Sequence, residues 1–492
     1  MGSIGRADNG AGSVIKLPCG LCPHKPHRKP LWGQLNGRRK GQISSSAVGT
    51  NKKVGCGDTA DGVDCYIYGM SKNNKCFKGI LTTLFLSLSL SAAAQPYTDS
   101  VYRHEIKSVE FYNSAKPASF PIIPLNSGET VTLGFDNLAG GTLNYHYTIE
   151  HCDAEWNSSN ISTAEYLKNY NDDRILTYSY SIATVQKYTH YELKLPNENI
   201  APKIPGNYIL KVYENSDPTK LVLTRKLYVV SPKINILAEL VPSNDNATRQ
   251  SNQKLNFTLD YGSLRVQNPG RDVRTLVMQN NRPETGIMNT QPTYIRGTQL
   301  IYSDVTINDF PAVNEFRHFD TRTLKLNSQN IQHIYRDTAN SVLMLTDPDR
   351  NKPNYTLEYD LNGSYYVLNQ DGSDPRNDAD YAHMLFSLAT TKQPNAGSPY
   401  IVGRFNDYKL DEHSKMTFDA GLGKYVNSIF LKQGVYDYAY VWVDRKGKAD
   451  ITALEGSYFE TENDYQVLVY YRPSGARWEE LVGYKVLNSL KK

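Results

Sequence analysis

Cysteine is nearly absent from most of this 492-residue chain. Five of its six cysteines (Cys19, Cys22, Cys56, Cys65, Cys76) lie before Ala94 and only Cys152 follows, so the remainder can form no internal disulfide. Long apolar runs are also missing. The longest, Ile80 to Leu90, is too short to cross the ~30 Å hydrocarbon core of a bilayer as an anchored helix. A basic surface is lacking once the front of the chain is set aside. Residues 1–94 hold 13 of the 54 Lys/Arg and 4 of the 50 Asp/Glu, leaving 41 basic against 46 acidic residues, a balance that disfavours nucleic-acid binding. There is no phosphate-binding glycine loop, no zincin histidine pair and no Gly-x-Ser-x-Gly elbow, which removes the commonest nucleotide and hydrolase readings.

What is present begins with an export signal at an internal methionine. After Met70, Lys72, Lys75 and Lys78 form a positive n-region, Ile80 to Leu90 an apolar h-region, and Ala92-Ala93-Ala94 a small-residue cleavage site before Gln95. Residues 70–94 therefore read as a signal peptide, with no cysteine after the cleavage site to carry a lipid. Residues 1–69, rich in Gly, Lys, Arg and Ser and without a sustained period, read as a disordered upstream extension from a misplaced start. Within them Cys19-Gly-Leu-Cys22-Pro-His24, followed by His27, has zinc-knuckle spacing. No second ligand cluster accompanies it, and the segment precedes a cleaved signal, so no metal is expected.

Tyrosine is the abundant aromatic, with 36 against 14 Phe and 4 Trp, and suits half-buried strands whose rings pack on one side and offer a hydroxyl on the other. From Glu129 onwards the apolar pattern has period two: Leu143, Tyr145, Tyr147 and Ile149; Tyr191, Leu193 and Leu195; Tyr208, Leu210 and Val212. Pro196, Gly206, Asn215 to Pro218 and Pro232 punctuate these strands at sandwich spacing. The expected fold is all-β, as tandem β-sandwich domains. An immunoglobulin- or fibronectin-like domain covers 101–231, a middle β domain 232–375, and a C-terminal sandwich 376–492 of early-set or glycogen-binding-module type. The one expected helix is Ser162 to Asn169, capped by Ser162 or Thr163.

Several groups invite a chemical reading. His151, Cys152 and Asp153 could make a thiolate–imidazole pair, but strand neighbours point to opposite faces and packing beside Trp156 is the simpler account. Asp371, Asp374, Asn377, Asp378 and Asp380 carry oxygen ligands without EF-hand spacing, and a solvated linker is preferred to a calcium site. Glu455, Glu460, Glu462, Glu479 and Glu480 could supply a glycosidase pair only if folding brought two of them across a cleft, so scattered surface acids are preferred. Val402-Gly-Arg-Phe-Asn-Asp-Tyr408 with Gly434-Val-Tyr-Asp-Tyr438 supports an alternative reading as a carbohydrate-binding envelope protein. No cofactor and no catalytic residue are expected.

Two blocks carry a family resemblance. The first runs from Tyr102-Arg through Leu125-Asn-Ser-Gly-Glu129, Phe135-Asp and Tyr145-His-Tyr-Thr-Ile-Glu-His-Cys-Asp-Ala-Glu-Trp156 to Leu195-Pro-Asn-Glu198, Gly206-Asn-Tyr and Leu223-Thr-Arg225. The second is Glu455-Gly-Ser-Tyr458-Phe-Glu-Thr-Glu-Asn463 with Val469-Tyr-Tyr-Arg-Pro473, and Phe316-Arg-His-Phe-Asp320 lies between them. Together they resemble the type IX secretion system plug protein family of Bacteroidota, over about Tyr102 to Gly483. The resemblance implies a non-catalytic periplasmic protein, a monomer in a hetero-complex, peripheral to the outer membrane. It would cover the periplasmic mouth of an SprA-type outer-membrane translocon barrel, with neither nucleic acid nor a small-molecule substrate as partner. The family brings no assigned contact residues. Trp156 and Tyr458, aromatics within the familiar blocks, are the candidates for partner binding, with core packing preferred for both.

Overall fold

A computed structural model describes residues 96–262, 264–336 and 338–490. The signal peptide, the 1–69 extension and the Cys19 to His27 spacing lie outside the described residues. Among those described, strands dominate, helices are single turns, and no helix is long and apolar enough to cross a membrane. The all-β expectation holds, with the strands packed face to face as successive sandwiches.

The first sandwich forms where the period-two segments begin. One sheet runs Ser100–Val101, Leu221–Val230, Gly206–Glu214, Tyr145–Cys152, Asp173–Arg174, and its partner runs Ile106–Asn113, Val131–Asn137, Thr189–Leu195, Thr177–Tyr180. Alternate residues meet between them: Tyr145, Tyr147 and Ile149 from one sheet, Leu133 and Phe135 from the other, are all within 1% of complete burial. Leu143, expected to start this series, precedes the strand and stays partly exposed. The short helix is only Thr163–Tyr166. The N–H of Ser162 donates to the Glu165 carboxylate (3.1 Å), but Leu167–Asn169 leaves the helix to pair with Ile200–Pro202. Ladder bonds to a neighbouring strand thus outweigh weak local helix preference.

The second sandwich opens with Asn235–Pro242, Asn252–Asp260, Gln299–Tyr302 and Tyr294–Arg296 in one sheet. Its other sheet joins distant parts of the chain. Val273–Gln279 pairs antiparallel with Asp464–Tyr471, matching Val277 to Val467, and Glu480–Asn488 completes the edge. Segments 232–375 and 376–492 therefore share one sheet and one core, in which Leu255, Leu300, Val467 and Val482 are fully buried.

The third sandwich is looped out between those partners. Gly434–Asp444 is its longest strand and pairs with Arg317–Asp320, Tyr365–Val367 and Gly397–Val402. The facing sheet contains Ile331–Arg336, Asn340–Met344, Tyr381–Ala389 and Lys424–Lys432. The Gly-Val-Tyr-Asp-Tyr-Ala-Tyr run places Tyr436, Tyr438 and Tyr440 on one face, all inside the core, with Phe319 stacked on Tyr436 at 5.2 Å between centroids.

Candidate functional site: the seams between the sandwiches

The strongest concentration of buried polar chemistry lies where the sandwiches meet. Between the first and third, Asp136 projects from Val131–Asn137 and is fully buried. Lys432, at the end of Lys424–Lys432, is 1% exposed and donates to Asp136 Oδ2 (2.7 Å). The same oxygen accepts from the Tyr381 hydroxyl (2.7 Å), and His190 Nδ1 donates to Oδ1 (2.7 Å). With its own proton committed to Asp136, Tyr381 receives a hydrogen bond from Ser108 (2.8 Å). The Lys432 ammonium lies 4.0 Å from the Tyr188 ring centroid, and the Tyr188 hydroxyl donates to the Ala379 carbonyl (2.8 Å).

Burial alone would raise the Asp136 pKa, but Lys432 and the His190 hydrogen bond outweigh it and hold the carboxyl below its ordinary value. Glu110, on the neighbouring Ile106–Asn113 strand, goes the other way. Burial pushes it up to about 7, Lys432 opposes the shift and the Asp136 charge adds to it. Asp380 extends the clasp, accepting from the backbone N–H of Val185 (2.7 Å) and Gln186 (3.1 Å) and from the Asn340 amide (3.1 Å).

Glu110 gives the seam a pH dependence near neutrality. Its folded pKa lies above the ordinary value of 4.5, so its contribution is complete below about pH 4.5 and is lost as pH rises through about 7. Stability measured by urea unfolding is expected to fall by about 1–2 kcal/mol between pH 5 and pH 8 from this group, a figure reduced for partial solvent screening. Glu110→Gln, which cannot ionise, should flatten that part of the profile, and an unchanged slope would assign the pH dependence elsewhere.

The seam between the first and second sandwiches is apolar at its centre. Trp156 packs edge-to-face on Tyr228 (5.1 Å) beneath the Lys226 ammonium, and Met278, Leu468 and Leu481 close the other side. At its rim Arg274 makes a two-pronged contact with Glu479 (2.6 Å to each oxygen), while Glu479 also accepts from the Ala154 N–H (2.9 Å). Tyr470 donates to Asn207 Oδ1 (3.1 Å) across the same boundary.

The two aromatics named as candidate contacts are thus placed apart and inside. Trp156 is 6% exposed, in the seam just described. Tyr458 is 8% exposed, and its hydroxyl donates to the Lys352 carbonyl (2.6 Å), pinning the 350–352 turn. Each supports a surface rather than presenting one. Their burial was open to sequence reasoning only through the apolar residues around them, because an aromatic ring in a connecting segment reads alike whether it packs into a core or meets a partner.

The remaining candidates are dispersed. His151 Nδ1 bonds Ser159 (2.8 Å), and burial pushes its pKa down to about 4, while burial drives the Cys152 thiol well up, so the pair is neutral and not in contact. Gly206, at φ +152°, passes so close to the His151 ring that a Cβ there would overlap it. The acidic run spends its carboxylates on protein donors: Asp371 accepts from the Thr323 hydroxyl (2.6 Å), Asp374 from the Arg376 N–H and guanidinium, and Asp378 from the Asp374 N–H (2.7 Å). Among the described residues no three His, Cys, Asp or Glu side chains converge as a metal site. Glu455 is in the third sandwich, paired with Arg317 (3.0 Å), Glu479 is at the seam between the first and second sandwiches with Arg274, and Glu480 reaches Lys233 (2.7 Å). Tyr408 and Tyr438, the rings of the carbohydrate alternative, are also inward. Tyr408 donates to the Gly363 carbonyl (3.0 Å) under the Arg282 guanidinium, and Tyr438 donates to Asp347 (2.8 Å).

The first sandwich and the strands around Asp136 coincide with a recognised module. Residues 106–231 match the family model described as the type 9 secretion system plug protein 1st domain. The chain belongs to the type IX secretion system plug protein family. A crystal structure of a hypothetical protein from Parabacteroides merdae is similar at 32% identity and TM-score 0.76, covering 80% of this chain and 100% of that one. Dimeric latent PorU from Porphyromonas gingivalis aligns at 12% identity and TM-score 0.15, over 78% of this chain and 34% of that one, and carries no statement about fold. No curated protein matches the chain. Membership in the plug family places the shared module in the first sandwich, and the Parabacteroides structure shows that the fold extends beyond that module.

Proposed function

We propose that this chain is a non-catalytic periplasmic plug that binds the outer-membrane translocon barrel of the type IX secretion system and closes its periplasmic opening when idle. The observation that carries the reading is the match of the whole first sandwich to the plug family module. Two physical features support it. The first sandwich is joined to each of the other two through a buried seam, as an obstruction that must hold together requires, and the buried charged side chains there are spent on joining sandwiches to one another. The partner is an SprA-type barrel, the location is the periplasm at the outer membrane, and the plug is displaced when cargo or a delivering partner arrives.

The test is affinity purification of the translocon barrel from envelope extracts in mild detergent. This chain is expected to co-purify in roughly one-to-one amount with idle barrels and to be depleted from barrels loaded with cargo. Its absence from idle barrels, or its equal presence in loaded ones, would overturn the reading.

A further inference from the structure

The strand Thr177–Tyr180 ends one sheet of the first sandwich and pairs only with Thr189–Leu195 among the described residues. The Ser181 N–H donates to the Tyr188 carbonyl (2.9 Å), which fixes the phase of that ladder. Residues 177, 179 and 181 turn their backbone groups inward to the neighbouring strand, and 178, 180 and 182 turn theirs outward. Ile182 already uses its outward N–H on the Asn377 carbonyl (2.7 Å). Tyr178 and Tyr180 are left with outward N–H and C=O groups that meet no protein partner among the described residues. An open edge of this kind is a template for another strand.

The side chains on this edge invert the usual pattern. Leu176, Tyr178, Tyr180 and Ile182 share one face and are 71%, 43%, 54% and 60% exposed. Tyr178 lies against buried Tyr191 (5.8 Å), so the exposed stripe continues the inner face of the sheet beyond the cover of the opposite one. The sequence of the edge reads nearly the same in both directions about Ser179: Leu-Thr-Tyr-Ser-Tyr-Ser-Ile from 176 to 182.

We infer that this edge is a self-association surface, in which two copies of the chain join their first sandwiches by antiparallel pairing centred on Tyr178 to Tyr180 about a two-fold axis at Ser179, the Asn377 carbonyl ending the ladder at Ile182. Centred there, Tyr178 of one copy lies opposite Tyr180 of the other, and both are outward-facing residues, as a hydrogen-bonded pair requires. Directly opposed residues share a face, so tyrosine meets tyrosine with Leu176 and Ile182 flanking them, and the hydroxyl residues meet on the other side. The surface is isologous by construction. Four side chains from each copy fall short of the ~1,200 Å² of a stable interface, so the contact is a dissociable one. The inference is independent of the plug reading, since it concerns the free chain.

Cysteine pairing tests it at single-residue resolution, with the unsubstituted full chain and its six native cysteines as background. Ser179→Cys places two thiols across the axis, in a non-hydrogen-bonded pair whose Cα separation of about 4.5 Å suits a disulfide, and is expected to give a linked dimer on mild oxidation. Thr177→Cys alone should stay unlinked, while a mixture of Thr177→Cys and Ser181→Cys chains should link. Sedimentation equilibrium of the unsubstituted chain should show reversible dimerisation. Tyr180→Pro removes an outward N–H while sparing the inner ladder, and should weaken dimerisation about 10–100-fold, having deleted two symmetry-related hydrogen bonds. A chain that stays monomeric at about 100 μM with Ser179→Cys unlinked overturns the inference. So does linking of Thr177→Cys to itself as readily as Ser179→Cys, or a dimer indifferent to Tyr180→Pro, which would place the contact elsewhere.

Discussion

Replacing Asp136 by alanine is expected to destabilise the protein by about 3–5 kcal/mol, measured by urea unfolding at pH 7. The carboxylate is fully buried and satisfies three donors: Lys432, Tyr381 and His190. Without it an ammonium that is 1% exposed remains between two rings with no carboxylate bonded to it, and its remaining polar contact is the Arg376 carbonyl (3.1 Å). That uncompensated charge, more than the loss of a favourable bond, sets the size of the effect. Lys432→Met in the same background should recover part of the loss, because it removes the orphaned ammonium while Tyr381 and His190 still lack the acceptor that Asp136 gave them. If the double variant were as unstable as the single one, lost packing rather than the orphaned charge would be the cause.

The same carboxyl predicts an acid limit. Its folded pKa is held below the ordinary value, so its contribution is present above the unfolded value of about 3.9 and is lost as pH falls through the folded one. The seam should therefore open in strong acid, from Asp136, and loosen as pH rises from about 5 through about 7, from Glu110. Protection of the amides along Val131–Asn137 and Tyr381–Ala389 in hydrogen exchange should report both limits.

Removing Glu455 is expected to have the second-largest effect, also about 3–5 kcal/mol. This residue sits at the end of a single helical turn, 2% exposed, and its two oxygens receive Arg317 (3.0 and 3.2 Å) and the Tyr440 N–H (2.8 Å), with Arg350 at 3.4 Å. Arg317 in turn reaches Asp347 (3.1 Å), whose other oxygen accepts from both Tyr438 and Tyr440. The network ties the first strand of the third sandwich to its longest strand and to the helix that precedes the return into the second. Burial lowers the Arg317 pKa and the two carboxylates raise it further than burial lowers it, so it stays charged throughout. Glu455→Gln keeps the shape and the Tyr440 acceptor but leaves the guanidinium short of one anion, and should cost roughly half as much as Glu455→Ala. Equal losses would mean that shape, not charge, governs the site.

The sequence and the tertiary structure divide the explanation of this molecule between them. Period-two alternation fixes which residues of Tyr145–Cys152 or Gly206–Glu214 face inward, because a strand has only two faces and water chooses between them. The all-β class, the first sandwich and the family were legible for that reason: each rests on local pattern or on runs of neighbouring residues. Trp156 and Tyr458 were legible as aromatics of the familiar blocks with core packing the favoured outcome, and the structure buries both. Which strand meets which was not legible. Val273–Gln279 could pair with any apolar strand, and its match to Asp464–Tyr471 became visible only in the fold. Nor does any spacing announce that Asp136 and Lys432 touch across nearly three hundred residues, since an isolated Asp or Lys in a strand reads as solvent-facing. The short-range alternation of polar and apolar side chains determined the elements and their buried faces. Long-range docking, which trades chain entropy for burial and pairs charges that only closed seams bring together, decided the order of the sheets and the polar clasp between them.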